Sequence, residues 1–472
     1  MAEQWRPLRL DQGLFRNLDE EAVIGFQTAI ENGFVNEMGG HTRFPGLRLF
    51  ADLGGTARVY LNDLNNDMIA ATKNGRIFRI DRTGAIEDMT GVPISGGRRV
   101  IFAKTDTELL MTAGAQIVRL RKSKSELLSS AAPLSTHVAW IDGYTLAVEI
   151  NSGRFFHSGV NAPDEWDPLD TFAANGNPDN ITNMIITPFR EIMLGGANSM
   201  EQFESLPNGD VPFYRRWSVG DGSVLPYGIV FADNAVWTIN NLLEMVRFTG
   251  QTSVSSSLAI GKLLEKIDNW DEAWIGGYPD RPLNVVGQKF ILLQMPNATN
   301  AYGTKGVTLA FDYRQKKWSS LYGWDDNNGT PIRWPGWSHW TLWGRLFVGG
   351  EGKIYELTDQ SYQHDGATQR WLIRTAYTTA GNQALVKNFR LRLKRGLGGN
   401  VDAPNIGVRA SVDGKPFGSW IRRSLGRAGD RVPFIEFGPF GGGYSFQWEI
   451  SSSDDCPIDL VGAEIQTEPL GQ

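Results

Sequence analysis

An all-β fold, a β-propeller followed by a β-sandwich, is predicted by three features of this sequence. Glycine is frequent, with 54 of 472 residues, and aromatic residues make up 11% of the chain. This combination indicates abundant turns between short strands. Hairpin-like units recur along the first three quarters of the chain, and a different pattern of strand-like runs follows them. At about 150 residues per domain, the length corresponds to roughly two or three domains.

The recurring unit is a short apolar strand, a glycine or asparagine turn and a second strand. Residues 74–75, Asn-Gly, suit a tight hairpin turn in the first copy. A lone hairpin is marginal in water, so such units are stable only when stacked or closed into a ring. The spacing is typical of one sheet per propeller blade and predicts five to seven blades, with several sandwiches in series as the alternative. The copies span 68–81, 108–120, 145–158, 190–204, 234–248, 290–312 and 345–359.

One segment breaks this pattern. Residues 255–270 place Ile260, Leu264 and Ile267 at helical spacing, and Ser257 precedes them as an N-cap candidate. We expect a short helix inserted between blades, packed on the ring by its apolar stripe, rather than a partner-binding helix.

After about residue 370, five strand-like runs predict a C-terminal β-sandwich of about 100 residues. The predicted domains are an N-terminal arm and closing strand over 1–60, a propeller over 61–365 and a sandwich over 370–472. A last blade that borrows an N-terminal strand would stabilise the ring by closing it. The five runs are 387–396, 405–420, 432–440, 444–453 and 458–469.

Composition and charge exclude several classes of protein. A formal net charge of −6 argues against a chain that wraps nucleic acid, because tight binding requires phosphate neutralisation by Lys and Arg. The single cysteine, Cys456, excludes a disulfide framework and fits folding in a reducing compartment. The sequence holds neither a run approaching the ~18 apolar residues of a membrane span nor a secretory leader at its start, so we expect no membrane insertion.

The residues that could carry catalysis are weakly organised. The histidines are scattered, without i, i+4 pairs, and Gly349–Gly352 is better explained as a hairpin turn than as a phosphate loop. Acidic residues cluster at 164–170 and 325–326, and a glycosidase needs two carboxylates about 5 to 9.5 Å apart. Both clusters have the composition of solvated loops. The sequence therefore predicts no enzyme, no cofactor and no metal.

Two patterns give candidate partner-binding residues. Tryptophans recur every third residue from Trp334 and Trp337 onward, which fits either a stacking platform or aromatic packing between blades. In the run 387–396, strand alternation places Arg390, Arg392 and Lys394 on one face. That face could meet an acidic partner or a phosphate backbone, or it could be a solvated edge. Residues 370–472 carry 13 Lys and Arg against 10 Asp and Glu, so the modest positive excess lies there.

The order of several segments resembles the packaged-DNA stabilisation proteins, also called tail nozzle or hub proteins, of short-tailed bacteriophages. Residues 43–46 match an Arg-x-Pro-Gly signature, and 188–204 match a strand followed by Gly195, Glu201 and Phe203. The series from 218 to the predicted helix, the Asp312 to Trp318 spacing and the C-terminal strand at 408–418 complete the resemblance. It covers nearly the whole chain in the same order, and it departs from the family in the loops at 296–306 and 323–340.

The resemblance implies a structural virion protein of the tail, assembled in the bacterial cytoplasm, with no catalytic residue to carry over. Family members form rings, expected to be hexamers, that bind the portal adaptor and continue its DNA channel. With a tail needle or plug, and beside spike or fibre proteins, the ring retains packaged DNA and lets it pass at ejection without sequence-specific contacts. The alternatives are a tail-associated propeller glycosidase or depolymerase and a host-glycan-binding module.

Overall fold

Hairpins dominate the chain, and the computed structural model contains forty-one strands and one short helix within the residues it describes. These residues are 5–15, 28–174, 176–206, 211–279 and 288–470. Several hairpins turn through two residues with positive φ, such as Asn65-Asn66 (51° and 66°) and Asp142-Gly143 (53° and 86°). Two left-handed residues in succession form the tight turn whose twist matches that of paired strands.

Five strands precede the first blade. They are β1 (Trp5–Leu8), β2 (Ala29–Glu31), β3 (Gly33–Val35), β4 (His41–Arg43) and β5 (Gly46–Asp52). The first four join the large sheet of the C-terminal half, whereas β5 joins the last blade.

Blades 1 to 5 follow, each a four-stranded antiparallel sheet. Blade 1 comprises β6 (Val59–Leu64), β7 (Asp67–Thr72), β8 (Ile77–Ile80) and β9 (Ile86–Asp88). Blade 2 comprises β10 (Ile101–Lys104), β11 (Leu109–Thr112), β12 (Val118–Leu120) and β13 (Glu126–Leu127). Blade 3 comprises β14 (Ser135–Ile141), β15 (Tyr144–Glu149), β16 (Arg154–Gly159) and β17 (Ala162–Ala173). Blade 4 comprises β18 (Ile181–Ile186), β19 (Glu191–Gly196), β20 (Met200–Ser205) and β21 (Phe213–Val219). Blade 5 comprises β22 (Val230–Ala232), β23 (Ala235–Ile239), β24 (Met245–Thr249) and β25 (Thr252–Ser255).

The helix α1 (Gly261–Glu265) lies between blades 5 and 6. Ile260 and Leu264 are buried in the core of these two blades, and Ile267 packs against it. The expected N-cap is wrong: Ile260 occupies that position without a side-chain cap, and Ser257 instead accepts the Ile260 N–H through its backbone carbonyl at 2.8 Å. The apolar stripe, rather than capping, therefore holds this single turn.

Two further blades complete the propeller. Blade 6 comprises β26 (Trp274–Pro279), β27 (Gln288–Thr299), β28 (Lys305–Asp312) and β29 (Lys317–Ser320). A separate hairpin of β30 (Tyr322–Asp325) and β31 (Thr330–Arg333) leads to blade 7. Blade 7 comprises β32 (Ser338–Leu342), β33 (Arg345–Gly349) and β34 (Lys353–Thr358), and β5 pairs antiparallel with β34 as its fourth strand.

The seven blades close into a ring, because every neighbouring pair, including blades 7 and 1, shares an apolar core. At the closure, Ser338 Oγ donates to the Val59 carbonyl at 2.8 Å, and the Val59 N–H donates to Gly350 at 2.9 Å. The prediction of an all-β propeller with a C-terminal sandwich is confirmed.

The C-terminal sandwich contains seven strands of its own. They are β35 (Trp371–Arg374), β36 (Thr378–Leu393), β37 (Asn405–Val412), β38 (Ile421–Ser424), β39 (Phe434–Phe437), β40 (Gly441–Ser452) and β41 (Asp459–Pro469). The long β36 pairs with β40 through its first half and with β39 and β41 through its second. One core fills the space between these layers, and N-terminal β1 and β4 add to β41.

The Arg-x-Pro-Gly segment ties the N-terminal strands to both domains. The guanidinium of Arg43, 1% exposed, donates to the Gln369 side chain at 3.0 Å and to the carbonyls of Asp454 at 2.5 Å and Cys456 at 3.1 Å. It also donates to the carbonyls of Tyr362, at 3.0 Å, and Gln369. One side chain thus joins β4, the interdomain linker and the loop before β41.

Close backbone contact explains the glycine of the same segment. A Cβ at Gly46 would lie 2.4 Å from the carbonyl oxygens of Ser361 and Gln363, which are backbone atoms of the linker. Pro45 accepts a hydrogen bond from the Gln369 side chain at 3.2 Å. The signature is therefore a packing motif that fixes the propeller against the sandwich.

Candidate functional site

The basic face predicted on β36 is neutralised within the chain. Arg392 pairs with Glu464 on β41 at 2.8 Å, and Arg390 approaches the same carboxylate at 3.7 Å. Lys394 pairs with Asp459. Strand alternation did place these three cations on one face. Because acidic residues of the neighbouring strand β41 lie opposite them, that face is not a free positive surface. Their role in binding a partner stays a prediction.

Arg390 is also packed between aromatic rings. Its guanidinium lies 3.8 Å from the ring centroid of Trp5 on β1 and 4.7 Å from that of Phe434 on β39. It also pairs with Glu436 at 2.5 Å. These contacts join β1 and β39 to β36, so the structural role of Arg390 is to hold these three strands together.

Neither Trp334 nor Trp337 presents an exposed ring for stacking. Trp334 is 1% exposed in the core between blades 6 and 7, with its ring edge-on to Tyr278 at 5.9 Å. Trp337 is 3% exposed, and Arg58 and Arg333 lie 3.7 and 4.0 Å from its ring centroid. Of the two interpretations of this run, aromatic packing between blades is the one this geometry supports.

The acidic clusters are engaged in local structure. The segment expected to be a loop at 164–170 lies within β17, the outer strand of blade 3, so that expectation was wrong. Asp164 pairs with Arg119 at 2.5 Å, and Asp167 accepts the Leu169 N–H at 2.8 Å. Asp325 accepts the backbone N–H groups of Asn327 and Asn328 at 3.0 and 3.2 Å, as a turn residue does.

The histidines are mostly buried and uncharged. Burial lowers the pKa of His41, His137 and His339 to about 4 and that of His364 to about 3. Burial also raises the pKa of the Cys456 thiol to about 11, which leaves it a poor nucleophile. Among the described residues, no three His, Cys, Asp or Glu side chains are grouped to hold a metal ion.

An arginine side chain bridges the centre of the propeller at one level. First strands of neighbouring blades approach one another and line the channel. Arg99, which precedes β10, reaches across it and donates to the Trp337 carbonyl at 2.8 Å. Its guanidinium lies 4.4 Å from the ring centroid of Trp274 on β26 and 5.1 Å from that of Tyr60 on β6. The Tyr227 hydroxyl accepts the Arg99 backbone N–H at 3.2 Å. The channel is therefore closed at this level.

This closed end of the channel carries more cations than carboxylates. Glu272 pairs with both Arg58 and Lys73, and Glu351 pairs with Arg333 at 2.9 Å. Arg98 and Arg99 form no ion pair among the described residues. Sequence reasoning missed this cluster, because its members, from Arg58 to Glu351, lie far apart in sequence and meet only when the ring closes. The local signal was an arginine pair directly before an inner strand.

The residues that carried the sequence resemblance have structural positions. Glu201, 1% exposed, accepts the Gly176 N–H at 2.7 Å and contacts Arg215 at 3.3 Å. Asp312 accepts the N–H groups of two residues of the turn after β28, and Trp318 packs on Phe311 with ring centroids 4.7 Å apart. The motifs therefore specify blade packing and turns.

Comparison with known proteins gives one family match. The family model described as bacteriophage P22 Gp10, β-propeller, matches residues 27–362. No curated protein matches the chain.

Solved structures match the chain at low identity. A streptogramin B lyase is 12% identical with a TM-score of 0.41, over 72% of this chain and 99% of that one. A selenomethionine-substituted virginiamycin B lyase from Staphylococcus aureus is 12% identical with a TM-score of 0.41, over 64% and 95%. BamB from Moraxella catarrhalis is 13% identical with a TM-score of 0.36, over 63% and 92%.

Proposed function

The chain belongs to the phage stabilisation family of bacteriophage P22 Gp10, β-propeller, and from this premise we propose that it forms a ring around the DNA path of a phage tail. The family match over residues 27–362 carries the proposal. The family is one of phage structural proteins, and the expected resemblance to it is confirmed. The helix among the described residues is five residues long, so no helix there could cross a membrane.

The arginine bridge across the propeller channel supports a DNA path between subunits rather than through one. A single arginine spans the channel from blade 2 to residues of blades 1, 6 and 7. A DNA duplex, whose major groove alone is about 12 Å wide, cannot pass such a constriction. In this proposal, several copies, expected to be six, surround the duplex and continue the channel of the portal adaptor.

Exposed apolar side chains supply one patch for the subunit contact. A closed ring needs two different patches on each subunit. Of the six described large apolar residues that are at least 60% exposed, five belong to blades 3 to 5 or directly follow them. Exposed apolar side chains of this kind are candidates for a subunit contact. These five residues are Leu169, Phe189, Leu242, Val254 and Leu258.

We propose that blades 3 to 5 of one subunit contact a different patch, on the sandwich side, of the next. The DNA-retaining role, contact with the adaptor and with needle, spike or fibre proteins, and assembly in the host cytoplasm belong to the same proposal. The net charge of −6 suits a protein that surrounds DNA without binding it tightly.

Electron microscopy of the purified chain mixed with adaptor–portal complexes tests the ring. We expect six-fold rings with the wild type and their loss with Leu258→Asp, since a carboxylate in an apolar contact is unfavourable. Ile86→Asp on the outer strand of blade 1 is the matched control and should assemble normally. Only monomers or two-fold dimers from the wild type would refute ring formation, and equal assembly of both variants would refute the assigned patch.

Virions assembled without the protein test its stabilising role separately. We expect full heads to form and then lose DNA, measured as nuclease-accessible genome. Heads that keep their genome would contradict this part of the proposal while leaving ring formation to be judged by microscopy.

A further inference from the structure

A cavity of about 440 Å³ lies in the propeller channel beside Arg99. Its wall includes Trp274 and Gly276 from β26 and His339 and Thr341 from β32. A Cβ at Gly276 would lie 2.7 Å from the Trp274 ring and 2.9 Å from the His339 ring, so only glycine permits this close wall. The volume falls within the roughly 300–1,000 Å³ of small-molecule sites.

Arg99 brings an uncompensated cation to this cavity. Its side chain makes one hydrogen bond among the described residues, from Nη1 to the Trp337 carbonyl, and no described carboxylate pairs with it. Its other guanidinium N–H groups make no hydrogen bond among the described residues and are not fully buried, and Arg99 is part of the cavity wall. A guanidinium with free N–H groups can bind an oxyanion through two parallel hydrogen bonds.

Three other partly buried arginines of this chain have their charge compensated by carboxylates. Arg370 pairs with Glu31, and Arg374 and Arg409 both pair with the buried Glu449, at 2.5 Å each. Arg99 has a second cation nearby instead, because Arg58 disfavours the charged form of Arg99. Burial lowers the pKa of the Arg99 guanidinium, as expected for a cation short of counter-charge.

Aromatic rings hold the guanidinium in place. Trp274 and Tyr60 contact its face at 4.4 and 5.1 Å, and such stacking orients the plane of the group. An oriented guanidinium in a cavity wall, without a paired carboxylate, has the chemical properties of an anion-binding site. We propose that this cavity binds a small oxyanion, a carboxylate or a phosphate group, through Arg99.

Calorimetric titration of the purified chain tests this site without requiring ring assembly. Inorganic phosphate and citrate serve as separate probes at constant ionic strength, with chloride as the reference, so the two arms distinguish the phosphate from the carboxylate source. We expect saturable binding of at least one anion at one site per chain. Arg99→Met should weaken it at least tenfold, whereas Arg99→Lys should weaken it less.

Arg82→Met is the matched control, since Arg82 is exposed in a turn of blade 1 without a described ion-pair partner. It should bind like the wild type. The proposal is overturned if neither anion binds the wild type, or if Arg99→Met and Arg82→Met bind equally. Should Arg99→Met not fold, the wild-type titration and Arg99→Lys still decide, because binding that is unchanged by Arg99→Lys and Arg82→Met alike would exclude Arg99 as the ligand.

Discussion

Replacing Arg43 by lysine should destabilise the chain more than any surface substitution of the same charge type. All five N–H donors of the buried guanidinium are directed at acceptors, four of them backbone carbonyls. A lysine ammonium has three donors and cannot reproduce the planar fork. At least two acceptors thus lose their partner.

The expected magnitude follows from these contacts. A hydrogen bond to a charged group contributes about 1.5–3 kcal/mol, so losing two corresponds to roughly 3–6 kcal/mol. Arg43→Met should cost at least as much, because it leaves four buried carbonyls without a donor.

Urea unfolding followed by tryptophan fluorescence gives the free energy, and hydrogen exchange reports local opening. The first loss of protection should occur at 361–369 and 454–456, where the acceptors lie. Arg48→Met is the control: Arg48 is exposed, pairs with Glu356 at 2.9 Å, and should lose less than about 1 kcal/mol. If Arg43→Lys loses less than about 1 kcal/mol, the structural role assigned to Arg43 is refuted.

Three further predictions concern stability. The pKa of His41, His137 and His339 is lowered to about 4 and that of His364 to about 3, below the value of about 6.5 in an unfolded chain, so the unfolded state binds more protons as pH falls. The contribution of these neutral histidines to the free energy of unfolding should therefore be complete above pH 7. It should decline from about pH 6.5 towards pH 4, by up to about 1.4 kcal/mol per pH unit for each histidine. A free energy of unfolding that is constant from pH 7 to 5 would contradict this. Gly46→Ala should lower the melting temperature measurably in calorimetry, since its Cβ would collide with linker carbonyls. Gly54→Ala is the control, because no atom lies within 4 Å of its Cβ and the substitution adds only the backbone strain of a positive φ. Equal losses of melting temperature in the two variants would exclude the collision. Arg392→Gln should change the free energy of unfolding by less than about 1 kcal/mol, because the Arg392 side chain is itself largely exposed, and a larger loss by urea unfolding would show a buried role.

Sequence patterns identified the central hairpin of every blade. The seven predicted units correspond to the second and third strands of blades 1 to 7, from β7–β8 to β33–β34. The second strand of most blades is buried along nearly its whole length, so it is a short apolar run followed by a turn. The first and last strands were less visible, because the channel-lining β10 is only four residues long and the outer β25 is exposed throughout.

The candidate interface residues show where local patterns stop. Alternation correctly put Arg390, Arg392 and Lys394 on one face, but it could not show that Glu464 and Asp459 lie opposite them. The three-residue spacing of Trp334 and Trp337 likewise fitted either a stacking platform or packing between blades, and only the fold shows that each ring is buried. Electrostatic neutralisation and burial are properties of neighbours, and neighbours come from the fold.

By itself, the sequence determined the fold class and the family, because hairpin repeats, turn residues and the order of short motifs are local and additive along the chain. Tertiary structure alone decided that the ring has seven blades, that β5 completes the last one, and that Arg43 fastens the propeller to the sandwich. It also decided that Arg99, Trp274 and Tyr60 meet across the channel. These features depend on contacts between residues tens to hundreds of positions apart, which form only when the ring closes.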